Sequence, residues 1–483
     1  MNRKMIGYIL GRVLIMEAAL MVPSVAVGLI YREQAVAWFL PPMLLTALLG
    51  WLLSRKRPES TAFYARDGFF IVASAWLLLS LFGALPFYLS GYFASYWDSL
   101  FEIVSGFTTT GASILSAVEG LPNCILFWRS FSHWIGGMGV LVFVLAIMPM
   151  AEDRSLHLMR AEVPGPVVGK LVPRMRTTAM ILYGTYSVMT VILIALLLLG
   201  GMPLFDSVCH AFGAAGTGGF AIKNAGIAYY NSAYIDIVLA VGMLLFGVNF
   251  NLYYLILIRR FKIAIKSEEL WWYVGIVAAS TLSVAVSILP QYGTIAQALR
   301  YSFFQVSSII TTTGYATADF ASAWSPFAQT VLVLLMIVGA CAGSPGGGLM
   351  VSRVIILVRT FREELQRMMH PRKVGGVRID GKALDSETVA GVRMYFVVYM
   401  LIVFVSILLL SLDGKDFTTN VTAELACFNN IGPGLGQVGP MANYASYSVP
   451  AKLLLTLNML LGRLEIFPIL VLFTPSIWRR SGI

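Results

Sequence analysis

The chain has 483 residues, of which 58% are hydrophobic and only 12% charged, and its mean hydropathy is +0.79. That is about half the charge of an ordinary soluble domain, too little to solvate a surface of this size, so a soluble globular protein is excluded and a bilayer is the expected solvent. The formal net charge of +10 is concentrated in a few short segments.

Crossing a hydrocarbon core of about 30 Å takes about 20 apolar residues, and runs of that kind recur along the whole chain. The first follows Arg3 and Lys4 and resembles a signal peptide. Its length, the presence of Glu17 and the second apolar run directly after it favour an uncleaved helix. In chain order, spans are predicted over 8–30, 35–53, 68–90, 125–149, 177–200, 233–258, 271–290, 326–360, 391–412 and 451–475. Between them lie apolar segments too short to cross, at about 97–107, 204–214, 296–310 and 418–428.

The expected fold is therefore an all-α polytopic membrane protein with ten transmembrane helices. Residues 1–55 form an N-terminal hairpin. Helix–pore loop–helix repeats follow at 68–149, 177–258, 271–360 and 391–475 and surround a central pore. The second helix of the third repeat is broken, and a basic cytoplasmic linker, 361–390, precedes the fourth.

Lys and Arg set the orientation. The segments up to Arg12, 55–66, 154–176, 259–266, 353–393 and 479–480 hold 27 of the 34. The positive-inside rule then places both termini in the cytoplasm. The charge needs no nucleic acid; it forms a cytoplasmic belt suited to anionic membrane lipid. Every short segment falls on the outer side with Asp98, Glu102, Glu119, Asp206, Asp236, Asp319, Asp413, Asp416 and Glu424. These acids either concentrate cations at a mouth or are ordinary loop charge.

After each short segment comes a glycine-bearing loop. The loops read Phe107-Thr108-Thr109-Thr110-Gly111-Ala112, Ala215-Gly216-Thr217-Gly218-Gly219-Phe220, Ile310-Thr311-Thr312-Thr313-Gly314-Tyr315 and Asn429-Asn430-Ile431-Gly432-Pro433-Gly434. Irregular backbone at membrane depth survives only against protein or water. A short helix entering from outside points the negative end of its dipole at the membrane centre. The loop beyond it can turn carbonyls inward to replace an ion's water. No carboxylate lies in any of the loops, which suits potassium better than a divalent ion. The candidate potassium ligands are Thr108, Thr109, Thr110, Gly111, Gly216, Thr217, Gly218, Thr312, Thr313, Gly314, Asn430, Ile431 and Gly432. The competing reading, tight turns for helix packing, fits one such loop better than four in register.

Residues 339–348 put five glycines and a proline inside one predicted span. They must break it, either as a passive kink or as a flexible intramembrane loop that blocks the pore. The gate candidates are Gly339, Gly343, Ser344, Pro345, Gly346, Gly347, Gly348 and Arg463. Arg463 lies about 16 Å into the last span and is expected either to oppose free cation flow or to make a structural ion pair. Asn249 and Asn251 are expected to bond neighbouring helices. Cys124, Cys209, Cys341 and Cys427 are read as buried thiols, and His133, His157, His210 and His370 form no metal motif.

These residues resemble the Trk/Ktr/HKT superfamily of potassium transporters. Ser132-His133-Trp134-Ile135-Gly136-Gly137-Met138-Gly139, the fourth loop, Gly462-Arg463-Leu464-Glu465 and the N-terminal hairpin are similar to its TrkH branch. The resemblance implies potassium uptake at the bacterial cytoplasmic membrane, with Gly111, Gly218, Gly314 and Gly432 as filter glycines, 339–348 as gating loop and Arg463 facing the pore. Pro345 departs from the branch, where threonine or alanine is expected. The resemblance further implies a homodimer and a cytosolic nucleotide-binding ring of the TrkA/KtrA type, with ATP/ADP or NAD on the ring. The segment 353–393 is its plausible dock. No cofactor is expected on this chain beyond permeant potassium. It has neither a Walker loop nor a Rossmann fingerprint. The rival readings are a cation-coupled secondary transporter, which would show inverted repeats, and a membrane enzyme, which would need paired acids or a nucleophile with its base.

Overall fold

The computed structural model describes residues 3–56, 58, 65–139, 175–370 and 375–472. The expected end of the fourth span, His157, most of the basic segment 154–176 and the basic pair 479–480 lie outside the described residues.

The N-terminal hairpin consists of α1 (Arg3–Ile30) and α2 (Leu40–Ser54). A Cβ on Gly11 would stand 2.7 Å from the Gly50 carbonyl oxygen, and one on Gly50 would stand 2.6 Å from that of Gly11. The two backbones thus meet through missing side chains.

The first repeat has α3 (Ala65–Gly83), the short α4 (Tyr96–Phe107) and α5 (Asn123–Gly137). The second has α6 (Met175–Leu199), the short α7 (Leu204–Gly216), α8 (Ala233–Phe246) and α9 (Phe250–Leu257). The third has α10 (Glu268–Tyr292), the short α11 (Ile295–Ile310), α12 (Pro326–Val338) and α13 (Val351–Met369). The fourth has α14 (Ser386–Leu410), the short α15 (Phe417–Phe428), α16 (Val449–Arg463) and α17 (Phe467–Leu472). Three of the short helices start on a side-chain cap: Ser95 accepts the Asp98 amide, Thr294 that of Gln297 and Asp416 that of Thr419.

This is the expected all-helical polytopic membrane protein, but its spans differ in detail. Six described helices are long and apolar enough to cross, seven if the bent pair α8–α9 counts as one span. Two things account for the shortfall against ten: the end of the fourth predicted span lies outside the described residues, and the second helices of the second, third and fourth repeats are broken. The sequence predicted a break in the third repeat alone. In fact α8 and α9 meet at 88° across Gly247–Asn249, and α16 stops at Arg463, after which Glu465 and Ile466 take φ of +55° and +65°. Asn249 caps α9 by accepting the Asn251 amide at 2.9 Å, and its side chain also bonds Glu269 of α10, the expected bond between helices. The linker 361–390 carries a small ribbon, Arg378–Ile379 against Lys382–Ala383.

The repeats close into a ring. Each short helix packs on the second helix of the repeat before it: α7 on α5, α11 on α8, α15 on α12 and α4 on α16. The outer acids prove largely structural. Asp98, Glu102, Asp206, Asp236 and Glu424 are buried. Three of them take cations that stand outside the basic segments: Asp98 pairs with Lys452 at 2.7 Å, Glu102 with Arg129 at 2.5 Å and Asp236 with Arg300 at 2.7 Å. Asp206 accepts from the Tyr230 hydroxyl, and Glu424 from the Asn458 amide, both at 2.7 Å. A buried acid is retained where it is bonded, so both the diffuse acidic mouth and plain solvated loop charge are corrected for these five.

Candidate functional site

The four glycine loops share one backbone design. Each short helix ends in a residue with left-handed backbone: Thr109 (φ +56°), Thr217 (+57°), Thr312 (+58°) and Asn430 (+56°). The next amide reaches back to the helix: Thr110 to Ser105, Gly218 to Gly213, Thr313 to Ser308 and Ile431 to Ala426, each at 2.8 Å. This is the wrap that closes a helix C-terminus. Two residues past the left-handed position the chain turns again at Gly111 (φ +78°), Gly219 (+73°), Gly314 (+82°) and Gly432 (+97°).

The shared register corrects one expectation. Gly219, not Gly218, stands in line with Gly111, Gly314 and Gly432. Gly218 matches Thr110, Thr313 and Ile431, and lacks a side chain because the His133 imidazole fills that space. Three nearby glycines left the register open in sequence, and the hydrogen bonds fix it.

The four glycines also touch around a circle. A Cβ on Gly111 would strike the Gly218 carbonyl oxygen, one on Gly219 that of Thr313, one on Gly314 that of Ile431, and one on Gly432 that of Thr110. Each repeat thus presses its glycine on the carbonyl just before the next repeat's glycine, in the same sense as the helix packing. Loops from four distant parts of the chain surround one axis. A cavity of about 150 Å³ opens beside Gly111, Gly219, Gly314 and Gly432.

The threonines serve the helix ends first. In the two Thr-Thr-Thr-Gly loops the Thr108 and Thr311 hydroxyls donate to the Val104 and Ser307 carbonyls at 2.6 Å. Each also shares a 2.8 Å bond with Thr110 or Thr313. The Thr217 hydroxyl donates to the Gly216 carbonyl. In the departing fourth loop Asn430 substitutes for threonine: its side-chain amide donates to Thr110 Oγ1 and to the Met459 carbonyl, both at 2.9 Å. The Tyr444 hydroxyl donates to the Gly432 carbonyl at 2.6 Å.

Two braces escaped the sequence reading. His133 Nε2 accepts the Phe220 amide at 3.3 Å, which leaves Nδ1 to donate to the Gly106 carbonyl at 2.9 Å. It therefore joins the first helix end to the second loop. Arg129, besides its ion pair, donates to the Ala221 carbonyl at 2.7 Å and lies 3.7 Å over the Phe220 ring.

Directly against the loops lies the break between α12 and α13. The Gly347 amide donates to Thr312 Oγ1 at 2.8 Å, and a Cβ on Gly347 would strike the Asn429 carbonyl. Gly339, Gly343 and Gly348 have φ near +71°, +71° and +79°. The segment is stitched to the α8–α9 break: Cys341 donates its amide to the Gly247 carbonyl and Phe250 donates to that of Gly343, both at 3.1 Å. The Ser344 hydroxyl donates to the Cys341 carbonyl at 2.6 Å. Pro345 and Gly346 are buried. The segment is thus a folded, bonded plug.

Arg463 bridges this plug to the first repeat. One Nη donates to the Pro345 carbonyl at 2.5 Å, and the other to the carbonyls of Gly136 and, at 2.6 Å, Gly137, where α5 ends. Pro345 takes part through its carbonyl, which any residue has. Glu465 binds Arg353, whose guanidinium lies 3.9 Å over Tyr395. All four cysteines are buried and free, and no cluster of metal-binding side chains occurs among the described residues.

A family model described as TrkH, cation transport protein, matches residues 37–271 and 259–480. The Trk system potassium uptake protein TrkH of Salmonella typhimurium is 36% identical over 487 residues, covering 99% of this chain and 100% of that one. The Trk system potassium uptake protein TrkG of Escherichia coli (strain K12) is 33% identical and covers 95% of each chain. Among solved structures, the potassium transporter TrkH from Vibrio parahaemolyticus superposes with a TM-score of 0.89 at 32% identity, over 99% of this chain and 100% of that one.

Proposed function

The chain belongs to the TrkH family of cation transport proteins, and on that footing we propose that it mediates potassium uptake across the bacterial cytoplasmic membrane through its four-loop ring. The closed circle of glycine-to-carbonyl contacts supports this reading above all. It surrounds an axis with neutral oxygens and no carboxylate, an environment that replaces the water of a large monovalent cation. The ligands are drawn from Thr108, Thr109, Thr110 and Gly111 of the first loop, Gly216, Thr217, Gly218 and Gly219 of the second, Thr312, Thr313 and Gly314 of the third, and Asn430, Ile431 and Gly432 of the fourth. The segment from Gly339 through Gly343, Ser344, Pro345, Gly346 and Gly347 to Gly348 is the gate, and Arg463 holds it.

In this reading both termini are cytoplasmic, the protein is a homodimer that binds lipid, and a TrkA/KtrA-type nucleotide-binding ring docks on the basic segment 353–393. The chain itself carries no cofactor and catalyses no reaction. Four repeats that run in the same sense around one axis favour a pore over a coupled carrier built on inverted halves.

Two measurements test this. Purified protein in liposomes should pass potassium and rubidium and discriminate against sodium; equal sodium and rubidium flux would refute the ring as a filter. Removing Gly343–Gly348 should raise rubidium flux in the absence of any partner. A folded deletion protein that stays at the basal level would reduce the loop to a passive kink.

A further inference from the structure

Where the gating segment turns back into α13, the helix has no cap of its own. Met350, the residue before it, has φ +70° and makes no side-chain capping bond. First-turn amides of a helix need acceptors from somewhere. The Val351 amide finds the Ala340 carbonyl at 2.9 Å, but for Ser352 the acceptor comes from another helix. Glu269, in the first turn of α10, accepts the Ser352 amide at 3.1 Å and the Ala342 amide at 2.8 Å, both on Oε1. A single carboxylate oxygen therefore staples the two ends of the segment together. Glu269 is 8% exposed. An acidic side chain at a helix N-terminus is favourably placed to accept its free amides.

The neighbouring residue faces outward along the same pair of helices. Glu268 pairs with Arg359 of α13 at 2.6 Å, and its amide donates to Asp380 Oδ1 at 2.8 Å. Hence α13 is moored to the start of α10 at successive points, with Glu269 innermost. Beyond them Phe361, Leu365, Met368 and Met369 are exposed. A shift of α13 away from α10 must break the Ser352–Glu269 bond, and with it the staple on Ala342.

We infer that Glu269 is the latch of the intramembrane gate: a positioning residue that keeps the loop folded under the ring and releases it when α13 moves. This rests on the gate reading of residues 339–348.

The test uses the full chain in liposomes without any partner. Cys341, 1% exposed, reports on the loop once Cys124, Cys209 and Cys427 are replaced by alanine. Glu269→Ala should raise basal rubidium flux about tenfold, equivalent to ~1.4 kcal/mol, with a smaller rise for Glu269→Gln, which keeps a neutral acceptor. Both should speed the labelling of Cys341 by a membrane-permeant maleimide. In the Gly343–Gly348 deletion neither substitution should add further flux, because the latched element is gone. If Glu269→Ala does not fold, the glutamine variant decides. Folded variants with wild-type flux and wild-type Cys341 labelling, beside a deletion that does raise flux, would overturn the latch and leave the gate standing. A silent deletion would overturn the gate, and the latch with it. An added rise in the deletion background would show that Glu269 acts elsewhere and would also overturn the latch.

Discussion

Gly219→Ala should abolish selective conduction, lowering rubidium flux at least about tenfold, ~1.4 kcal/mol in barrier terms, and collapsing the preference for rubidium over sodium. Two effects combine. Gly219 has φ +73°, and a residue with a Cβ loses about 1–2 kcal/mol in that region. The added methyl would also strike the Thr313 carbonyl oxygen and come within 3.1 Å of the Gly314 carbonyl carbon. That carbonyl is proposed to face the ion, so the collision falls on a ligand and displaces it. Gly201→Ala is the matched control. Its φ is +83°, yet nothing lies within 4 Å of its would-be Cβ, so it carries the same backbone strain without the collision. Liposome flux normalised to folded protein should separate them: near-normal selective uptake for Gly201→Ala, loss for Gly219→Ala. Wild-type flux and wild-type rubidium/sodium ratio in a folded Gly219→Ala protein would remove Gly219 from the ring.

How much of this could be read in advance depended on the range of the signal. The repeats were legible because each carries its own marks, a long apolar run followed by a short one and then a glycine loop. Thr-Thr-Thr-Gly at 108–111 and 311–314 fixed two registers outright. The second loop offers Gly216, Gly218 and Gly219, and composition cannot choose among them; the amide of Gly218 returning to the Gly213 carbonyl does. The break at 339–350 announced itself through clustered glycines. The break at 464–466 has no such cluster, but Pro468 marks it, since a proline has no amide to donate to the Leu464 carbonyl, a signal the sequence reading passed over; the pairing of Glu465 with Arg353 and the burial of Ile466 accompany those dihedrals. The roles of His133, Arg129 and Glu269 were hidden for another reason. Their partners lie from 27 to 92 residues away, beyond any local pattern. The outer acids were misjudged in the same way, because Asp98 finds Lys452 only after 354 residues of chain.

Arg463→Ala should make the protein leak potassium without any partner. Arg463 combines two functions that the substitution removes together. It is a fixed positive charge, and at an effective dielectric of about 20 a unit charge ~5 Å from a cation opposes it by roughly 3 kcal/mol. Even a third of that changes flux several-fold. It is also the fork that joins the Pro345 carbonyl of the plug to the carbonyls of Gly136 and Gly137 at the end of α5. Without it those oxygens lose their donor and, at the negative end of α5, become attractive to a passing cation. Arg463→Lys separates the two functions. Lysine keeps the charge but is a compact point donor and cannot reproduce the planar fork. If charge is the main barrier, Arg463→Lys should stay near the basal flux. If the fork holding the plug matters more, it should leak almost as much as Arg463→Ala. A purely structural arginine predicts a third pattern, with poor folding of both variants and no gain of flux per folded molecule. Rubidium flux in liposomes, normalised to folded protein, distinguishes all three, and a folded Arg463→Ala protein at the wild-type basal level would exclude Arg463 from the conduction path.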